Sequence, residues 1–413
     1  IWDNIFGSLL LSQNVEKVKY GLYKDNFYSK NSTLHLYIYP FYESLKLMKI
    51  FCANTVFKVI DRINFKFFTI SKIIKTFSLS LLVFIFSSPV IISDVISKEI
   101  NIYSHRQPFL INPFLEEFTK KTGIKTNVVY ATKGLAQRLR AEGKNSPADV
   151  ILTVDIGRLY IYEDMDLLAE ISSQILDQNI PIHLKSDRNT WFGLSKRSRI
   201  IATSKKRVKE NDILRVEDLA DPKWKGKICS RPGSHVYNRA LMASIIAEYG
   251  LEKAEKWALG LVSNLARRPQ GNDRAQVKGI HEGLCDIAII NNYYFGKLKY
   301  SDDPIQREWA QSMRLTFPNQ GESDRGAHIN ISGGGVAKYS KNKESAIKFL
   351  EFLSSPDAQK MYSEINFEYP VNLKVKPSDE LVSWGNFRED KISIEKIAQL
   401  SIDAQKIIDR VGW

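Results

Sequence analysis

The chain has 413 residues, of which 44% are hydrophobic and 25% are charged, a balance that excludes an intrinsically disordered protein and favours a globular one. This length favours two domains over one. The net charge is +13, but no dense basic run with interleaved aromatic residues occurs beyond residue 97, so we predict no nucleic-acid partner.

The front of the chain lacks the pattern of a folded domain. Residues 1–75 show no regular hydrophobic period and the first methionine is Met48, so we interpret them as an extension that is not part of the fold. Residues 76–97 contain an apolar run at 77–92, which predicts a signal peptide, with an uncleaved membrane anchor as the alternative. We therefore expect export to the periplasm and no stable membrane span in the mature protein.

Short apolar runs alternate with amphipathic helices after residue 97, which is the pattern of an α/β fold. The first half predicts strands at 99–103, 125–130 and 149–153 and helices at 108–122 and 135–142. The second half predicts strands at 199–203, 227–230, 286–290 and 329–332, the last followed by a flexible glycine turn at 333–336, and helices at 237–249, 345–353 and 356–362. We interpret these elements as two lobes joined by crossing strands, one lobe from 98–200 and 324–375 and the other from 201–323 and 376–413.

The three cysteines show no Cys-x-x-Cys spacing, which excludes a zinc ribbon or a thioredoxin motif. In an exported chain Cys229 and Cys285 are the plausible disulfide pair, because each lies in a strand-like run that a neighbouring strand can approach. Two buried free thiols are the alternative.

Tyrosines stand out at two places where a binding cleft is expected. Tyr293 and Tyr294 follow the apolar strand at 286–290, and the carboxyl ends of strands in open α/β sheets face the ligand crevice. Tyr237 begins a helix that follows Arg231-Pro-Gly-Ser-His. The chain has 18 tyrosines, so ordinary packing is the alternative for each of them.

Other polar residues occupy similar positions. Arg106 and Gln107 lie in the turn after the first strand, and Ser234 precedes a helix whose free N–H groups suit an anion, although it is alternatively a simple helix cap. Asn272 is alternatively a turn residue. The Gly-x-Ser-x-Gly, Walker and His-Glu-x-x-His motifs are absent from the sequence, and no nucleophile–base pair is evident, so we predict that the protein is not an enzyme.

Six motifs together resemble the ferric-ion-binding periplasmic proteins of bacterial ABC iron importers, over residues 99–410. The motifs are Tyr-Ser-His-Arg-Gln-Pro at 103–108, Lys-Thr-Gly-Ile-Lys at 121–125, Ser-Pro-Ala-Asp-Val-Ile-Leu-Thr-Val-Asp-Ile-Gly-Arg-Leu at 146–159, Gly-Asn-Asp-Arg-Ala-Gln-Val at 271–277, Cys-Asp-Ile-Ala-Ile-Ile-Asn-Asn-Tyr-Tyr at 285–294 and Gly-Gly-Gly-Val at 333–336. The resemblance implies a bilobal type II periplasmic-binding-protein fold, similar to one lobe of transferrin, with the ligand cleft between the lobes.

The same resemblance implies a ligand set. Tyr237, Tyr293 and Tyr294 are implied to bind Fe³⁺. The Arg-Gln-Pro turn is similar to that of a subgroup in which a synergistic carbonate completes the shell, and this implies that Arg106 and Gln107 hold the anion. Further candidates around the metal or the anion are Asp155 on the opposite wall, Arg158 for charge balance, Ser234, Asn272 and Asn291.

The implied partners are the permease and ATPase subunits of an ABC importer, with the binding protein itself a monomer. A protein of the same fold that binds a polyamine, thiamine or a phosphate ester is the main alternative function. It predicts carboxylates and aromatic residues in the cleft without clustered tyrosines. An exported enzyme that uses tyrosine as an acid or base is a second alternative.

Overall fold

A computed structural model describes residues 98–413 of the protein. The extension predicted at 1–75 and the signal peptide predicted at 76–97 lie outside the described residues. Of the helices in the described part, none is long and apolar enough to cross a bilayer.

The described elements are a mixture of strands and helices, as the α/β pattern predicts. The strands are β1 (Glu99–Ser104), β2 (Lys125–Tyr130), β3 (Val150–Thr153), β4 (Phe192–Ser204), β5 (Ile228–Cys229), β6 (Ile287–Asn291), β7 (Met313–Thr316) and β8 (Ile329–Val336). The helices are α1 (Pro108–Thr122), α2 (Leu135–Glu142), α3 (Ile156–Asp164), α4 (Gln174–Asn179), α5 (Val236–Ser263), α6 (Asp273–His281), α7 (Tyr293–Lys299), α8 (Pro304–Ser312), α9 (Lys343–Ser354), α10 (Pro356–Ile365), α11 (Asp379–Ser383), α12 (Ile394–Gln399) and α13 (Ser401–Val411). Short 3₁₀ turns cover Gly143–Asn145, Ile182–Leu184, Glu217–Ala220 and Pro222–Trp224.

The strands form a mixed sheet in the order β2-β1-β3-β8-β4-β6-β5, with β7 also paired to β4. β1 is parallel to β2 and β3, and β5 is parallel to β6. β8 runs antiparallel to β3 and β4, and β4 runs antiparallel to β6. The predicted site residues follow the carboxyl ends of β1 and β6. These two strands belong to one sheet and lie on opposite sides of its central β8–β4 pair.

The long strand β4 joins the two parts of the sheet. Its first half, from Phe192 to Ser198, pairs with β8, and its second half, from Arg199 to Thr203, pairs with β6. All 13 residues of the strand are buried. The sequence predicted only 199–203 as a strand, because Lys196 and Arg197 interrupt the apolar run that marks a buried strand. The predicted lobe boundaries stay a prediction.

The glycine turn predicted at 333–336 is wrong, because these residues continue β8 between β3 and β4. A Cβ atom on Gly334 would lie 2.7 Å from the carbonyl oxygen of Ile151, and one on Gly335 would lie 2.4 Å from that of Thr190. Glycine is required here by the close approach of neighbouring backbone, not by flexibility.

The helix predicted at 237–249 is confirmed as the first part of α5. Gly250 breaks it as expected, with a left-handed φ of 78°, but helical structure resumes and continues to Ser263. Cys229 and Cys285 form a disulfide with Cα atoms 5.8 Å apart, which settles the alternative left open by the sequence. The bond links β5 to the residues that precede β6.

Candidate metal centre

The structure brings the three predicted tyrosines together in one cavity of about 190 Å³. Tyr293 and Tyr294 open α7 directly after β6, and their ring centroids lie 4.5 Å apart. Tyr237 lies in the first turn of α5, and the hydroxyl of Tyr293 donates a hydrogen bond to the hydroxyl of Tyr237 at 3.2 Å. Phenolic oxygens from two separate elements therefore meet at one place.

Arginines surround the tyrosine rings. The guanidinium carbons of Arg197, Arg199 and Arg231 lie 5.5, 5.9 and 5.2 Å from the ring centroid of Tyr237. Arg197 and Arg199 reach the same ring because alternate residues of β4 point to the same face of the sheet. A cation at this distance is attracted to the electron-rich face of the ring.

Carboxylates neutralise only part of this positive charge. Asp273 is fully buried and lies 2.9 Å from Nη1 of Arg199 and 3.4 Å from Nη1 of Arg231. Three further cations, Arg158, Arg274 and Lys297, line the cavity and form no ion pair within residues 98–413. The cavity therefore keeps excess positive charge, which suits bound anions.

Burial raises the pKa of the Tyr293 phenol well above its ordinary value, and the neighbouring Tyr237 adds to the effect. Burial likewise raises the pKa of Tyr294. Both phenols are therefore neutral at neutral pH until a cation takes the place of the proton. Within the described part of the chain, no group of three or more His, Cys, Asp or Glu side chains is placed to hold a metal ion, so these phenols are the candidate metal ligands.

A second and larger cavity, of about 620 Å³, adjoins the tyrosine cavity. Its lining contains Lys133, Arg158, Arg231 and Arg239 but no aspartate or glutamate. His105 lies between the two cavities, and burial together with the charge of Arg158 lowers its pKa to about 4. The positive charge of this cavity at neutral pH therefore comes from lysine and arginine, not from histidine.

The chain is similar in sequence and in structure to proteins that are already known. Residues 145–389 match the family model described as bacterial extracellular solute-binding protein. The chain belongs to this family of solute-binding proteins. Membership confirms the prediction of a binding protein over an exported enzyme.

Individual relatives of the solute-binding protein share most of its described length. The iron uptake protein A1 of Synechocystis is 42% identical over 317 residues, which are 76% of this chain and 88% of that protein. Two solved structures also cover 76% of the chain, with TM-scores of 0.72. They are an apo ferric ion-binding protein A of Pasteurella haemolytica, 47% identical and 98% covered, and a Trichodesmium protein in complex with iron and citrate, 46% identical and 99% covered. These likenesses confirm the predicted resemblance and the bilobal type II fold with a cleft between two lobes.

Several predicted neighbours of the metal also lie at the cavities of the binding protein. Gln107, Arg158 and Asn272 line the smaller cavity, and Ser234 lines the larger one. Asn272 also caps α6 by accepting the N–H of Ala275 at 3.1 Å. Its position at the cavity and its role as a turn residue are therefore compatible.

Two other predicted residues are buried beside the site. The Asn291 side chain donates to the Tyr293 hydroxyl at 3.3 Å and accepts from Arg199 at 3.2 Å. Asp155 caps α3, accepts a hydrogen bond from Asn330 at 2.8 Å and lies 4.0 Å from Arg197. Both side chains hold the surrounding residues in place in this structure.

Arg106, the predicted anion-binding residue, does not line either cavity of the binding protein. Its Nη2 atom is 2.8 Å from Glu368, and its Nη1 donates to the Ser332 hydroxyl at 2.8 Å. The side chain is only 2% exposed. Its charge is therefore already compensated within the protein.

Some residues that line the cavity were not predicted from the sequence. Tyr130 lines the tyrosine cavity at the carboxyl end of β2, and its place at the end of a predicted strand was the available clue. Arg274 lies in the motif at 271–277 but was not singled out, and Lys297 had no such clue, because isolated cations on helices are ordinarily solvated.

Proposed function

We propose that this solute-binding protein captures ferric iron between its two lobes through the phenolates of Tyr237, Tyr293 and Tyr294. The observation that carries the proposal is the meeting of the Tyr237 and Tyr293 hydroxyls at 3.2 Å, with Tyr294 in the same cavity. The relatives named for iron uptake and ferric iron binding support the same conclusion.

The chemistry of the cavity suits Fe³⁺ as the transported solute. Fe³⁺ is a hard cation that is stabilised by anionic oxygen ligands, and its charge lowers the pKa of a phenol that it binds. Three phenolates cancel its charge. Arg158, Arg274 and Lys297, which form no ion pair with the described residues, then provide positive charge for one further anion, and this supports a synergistic anion.

We propose carbonate as that anion, with Gln107 at the edge of the cavity as a contact. Arg106 remains the proposed source of positive charge for the anion. Because Arg106 is paired with Glu368, this proposal requires the anion to compete with Glu368 for the guanidinium. The relative from Trichodesmium was solved with citrate, so the anion has to be tested and not assumed.

Delivery is proposed to follow the usual route for an exported binding protein. After removal of a signal peptide, a monomer in the periplasm would carry iron to the permease and ATPase subunits of an ABC importer. Closure of the two lobes around the ion would exclude water and present one surface to the importer.

One observation favours a second solute class. The 620 Å³ cavity lacks carboxylates and is lined by arginine and lysine, so it would suit a phosphate ester. The same lining disfavours the cationic solutes polyamine and thiamine.

An absorption titration tests the proposal. The protein from residue 98 onward is titrated with ferric citrate, with and without bicarbonate, and in parallel with a sugar phosphate. Phenolate ligation produces a visible charge-transfer band that saturates at one iron per protein. A band that requires bicarbonate supports carbonate, whereas a band indifferent to it leaves iron binding but rejects carbonate. No band in any buffer, together with binding of the sugar phosphate by calorimetry, would replace ferric iron with the phosphate ester.

A further inference from the structure

The Trp413 side chain is buried against the segment that leads to Tyr237, although the two residues are far apart in the sequence. The residue follows α13, which packs along α5, and its side chain is 5% exposed. Its ring stacks edge-on against Trp257 with centroids 5.8 Å apart. This contact packs Trp413 against the part of α5 that follows Gly250.

Three contacts attach Trp413 to residues 230–236, which we name the α5 entry loop. The indole N–H of Trp413 donates to the Ser230 hydroxyl at 2.9 Å. The Gly233 N–H donates to the backbone carbonyl of Trp413 at 3.0 Å. A Cβ atom on Gly233 would lie 2.7 Å from Cγ of Trp413, so the loop and the ring approach as closely as glycine allows.

The contact continues from Ser230 towards the metal centre. The Asn238 amide donates to the Ser230 hydroxyl at 3.2 Å and to the carbonyl of Arg231 at 3.0 Å. The Asn238 oxygen in turn accepts a hydrogen bond from Arg199. Trp413 is thus joined through two side chains to Arg199, and through the loop to Arg231, both of which lie against the Tyr237 ring.

We propose that Trp413 is a positioning residue for ferric binding, which sets the α5 entry loop so that Tyr237 meets Tyr293. This inference rests on the proposed function. The two tyrosines come from different elements, and a metal site requires its ligands to be held within about 0.5 Å of the productive geometry. The hydrogen bond from Trp413 to Ser230 supplies that restraint from outside the site.

The test is a double-mutant cycle on ferric affinity, with Trp413→Phe, Ser230→Ala and the double variant. Each single variant is expected to lose affinity about tenfold and to shift the charge-transfer maximum, because supporting residues outside a metal shell are worth about 10- to 100-fold. The double variant is expected to lose no more than Ser230→Ala, because Ser230→Ala already removes the hydrogen bond from Trp413 together with the one from Asn238.

Trp257→Phe is the matched control. It alters the same aromatic pair, but its indole N–H donates to the carbonyl of Val216 at 3.1 Å instead of to the loop. We expect it to leave affinity and the band maximum unchanged.

Three results would overturn the inference. They are wild-type affinity in both single variants, additive losses in the double variant, or an equal loss in Trp257→Phe. If Trp413→Phe does not fold, as judged by circular dichroism, Ser230→Ala decides by itself. If the wild-type protein gives no band, the proposed function fails, and the role of Trp413 in it fails for that separate reason.

Discussion

The tyrosine cluster and Arg106 were predicted for one site by the same reasoning, yet they differ in the folded protein. Tyr237, Tyr293 and Tyr294 share a cavity, with no carboxylate bound to any of their hydroxyls in the described structure. Arg106 is paired with Glu368 at 2.8 Å. A neutral phenol can be buried without a counter-ion until a metal arrives, whereas a buried guanidinium needs a partner as soon as the chain folds. Position near a cleft therefore does not decide whether a charged residue is available to a ligand.

The largest expected effect tests the tyrosine side of this comparison. Tyr293→Phe or Tyr294→Phe removes one anionic ligand, and we expect ferric affinity to fall at least about 1000-fold, or about 4 kcal/mol. The visible band should be lost or strongly reduced. Tyr300→Phe is the control, because Tyr300 is an exposed tyrosine directly after the helix that carries Tyr293 and Tyr294. A full band in either cluster variant would exclude that tyrosine as a ligand.

The next prediction concerns the protons that Tyr293 and Tyr294 release when iron binds, which Arg106 does not release. Because burial raises the pKa of Tyr293 and Tyr294, each phenol loses its proton only when iron binds. Affinity should therefore rise with pH and fall as pH falls, by about tenfold per pH unit for each proton released. Competition against a chelator of known protonation, between pH 6 and 8, measures this slope. A slope of zero after correction for the chelator would contradict phenolate ligation.

The Arg106 side is tested by Glu368→Gln. We expect the free energy of unfolding to fall by about 3–5 kcal/mol, because the variant leaves a buried charge without its partner. Glu389→Gln breaks the pair with Lys196 and is expected to cost less, because the Glu389 carboxylate is more exposed to water than that of Glu368. Urea denaturation compares the two variants.

The Glu368→Gln variant also tests whether Arg106 contributes to binding of the anion. If Arg106 has only a structural role, Glu368→Gln leaves the bicarbonate dependence of the band unchanged. An increase in bicarbonate affinity, without loss of stability, would instead show that Glu368 competes with the anion for Arg106.

The smallest expected effect concerns the cations at the rim. The Arg274 guanidinium lies 5.6 Å from the centroid of the Tyr294 ring. We expect Arg274→Gln to weaken ferric binding about two- to fivefold, as for a cation–π contact that is partly solvated. Lys278→Gln is the matched control, since Lys278 lies on the same helix but against Trp309, which is not a cavity residue. Equal effects in both variants would indicate general surface charge.

Local sequence signals predicted much of the fold and the core of the site. The bounds of α1, β2 and α2 agree with the structure, because each combines a clear hydrophobic period with recognisable ends. The placement of Tyr293 and Tyr294 followed from their position after an apolar strand. The pairing of Cys229 with Cys285 was one of two alternatives that the sequence allowed.

Ion pairs between residues that are distant in the sequence could not be predicted from the sequence. Arg106 and Glu368 are 262 residues apart, and no local pattern links them. The first part of β4 was missed because of Lys196 and Arg197, since buried cations do not look like a strand interior until their partners are known. The glycines of β8 were misread for a similar reason, since the backbone that crowds them comes from β3 and β4.

The pairing of β8 with β3 and β4 also affects how the protein folds. Leu152 of β3 pairs with Gly334 of β8, and Phe192 of β4 pairs with the same residue. Until residues 329–336 have been synthesised, β3 and β4 lack the strand that separates them. Contacts between residues so distant in sequence slow folding, because the long loop must close before the contacts form. We therefore expect the front of the described chain to reach its native arrangement late, after the strand near its back has been made.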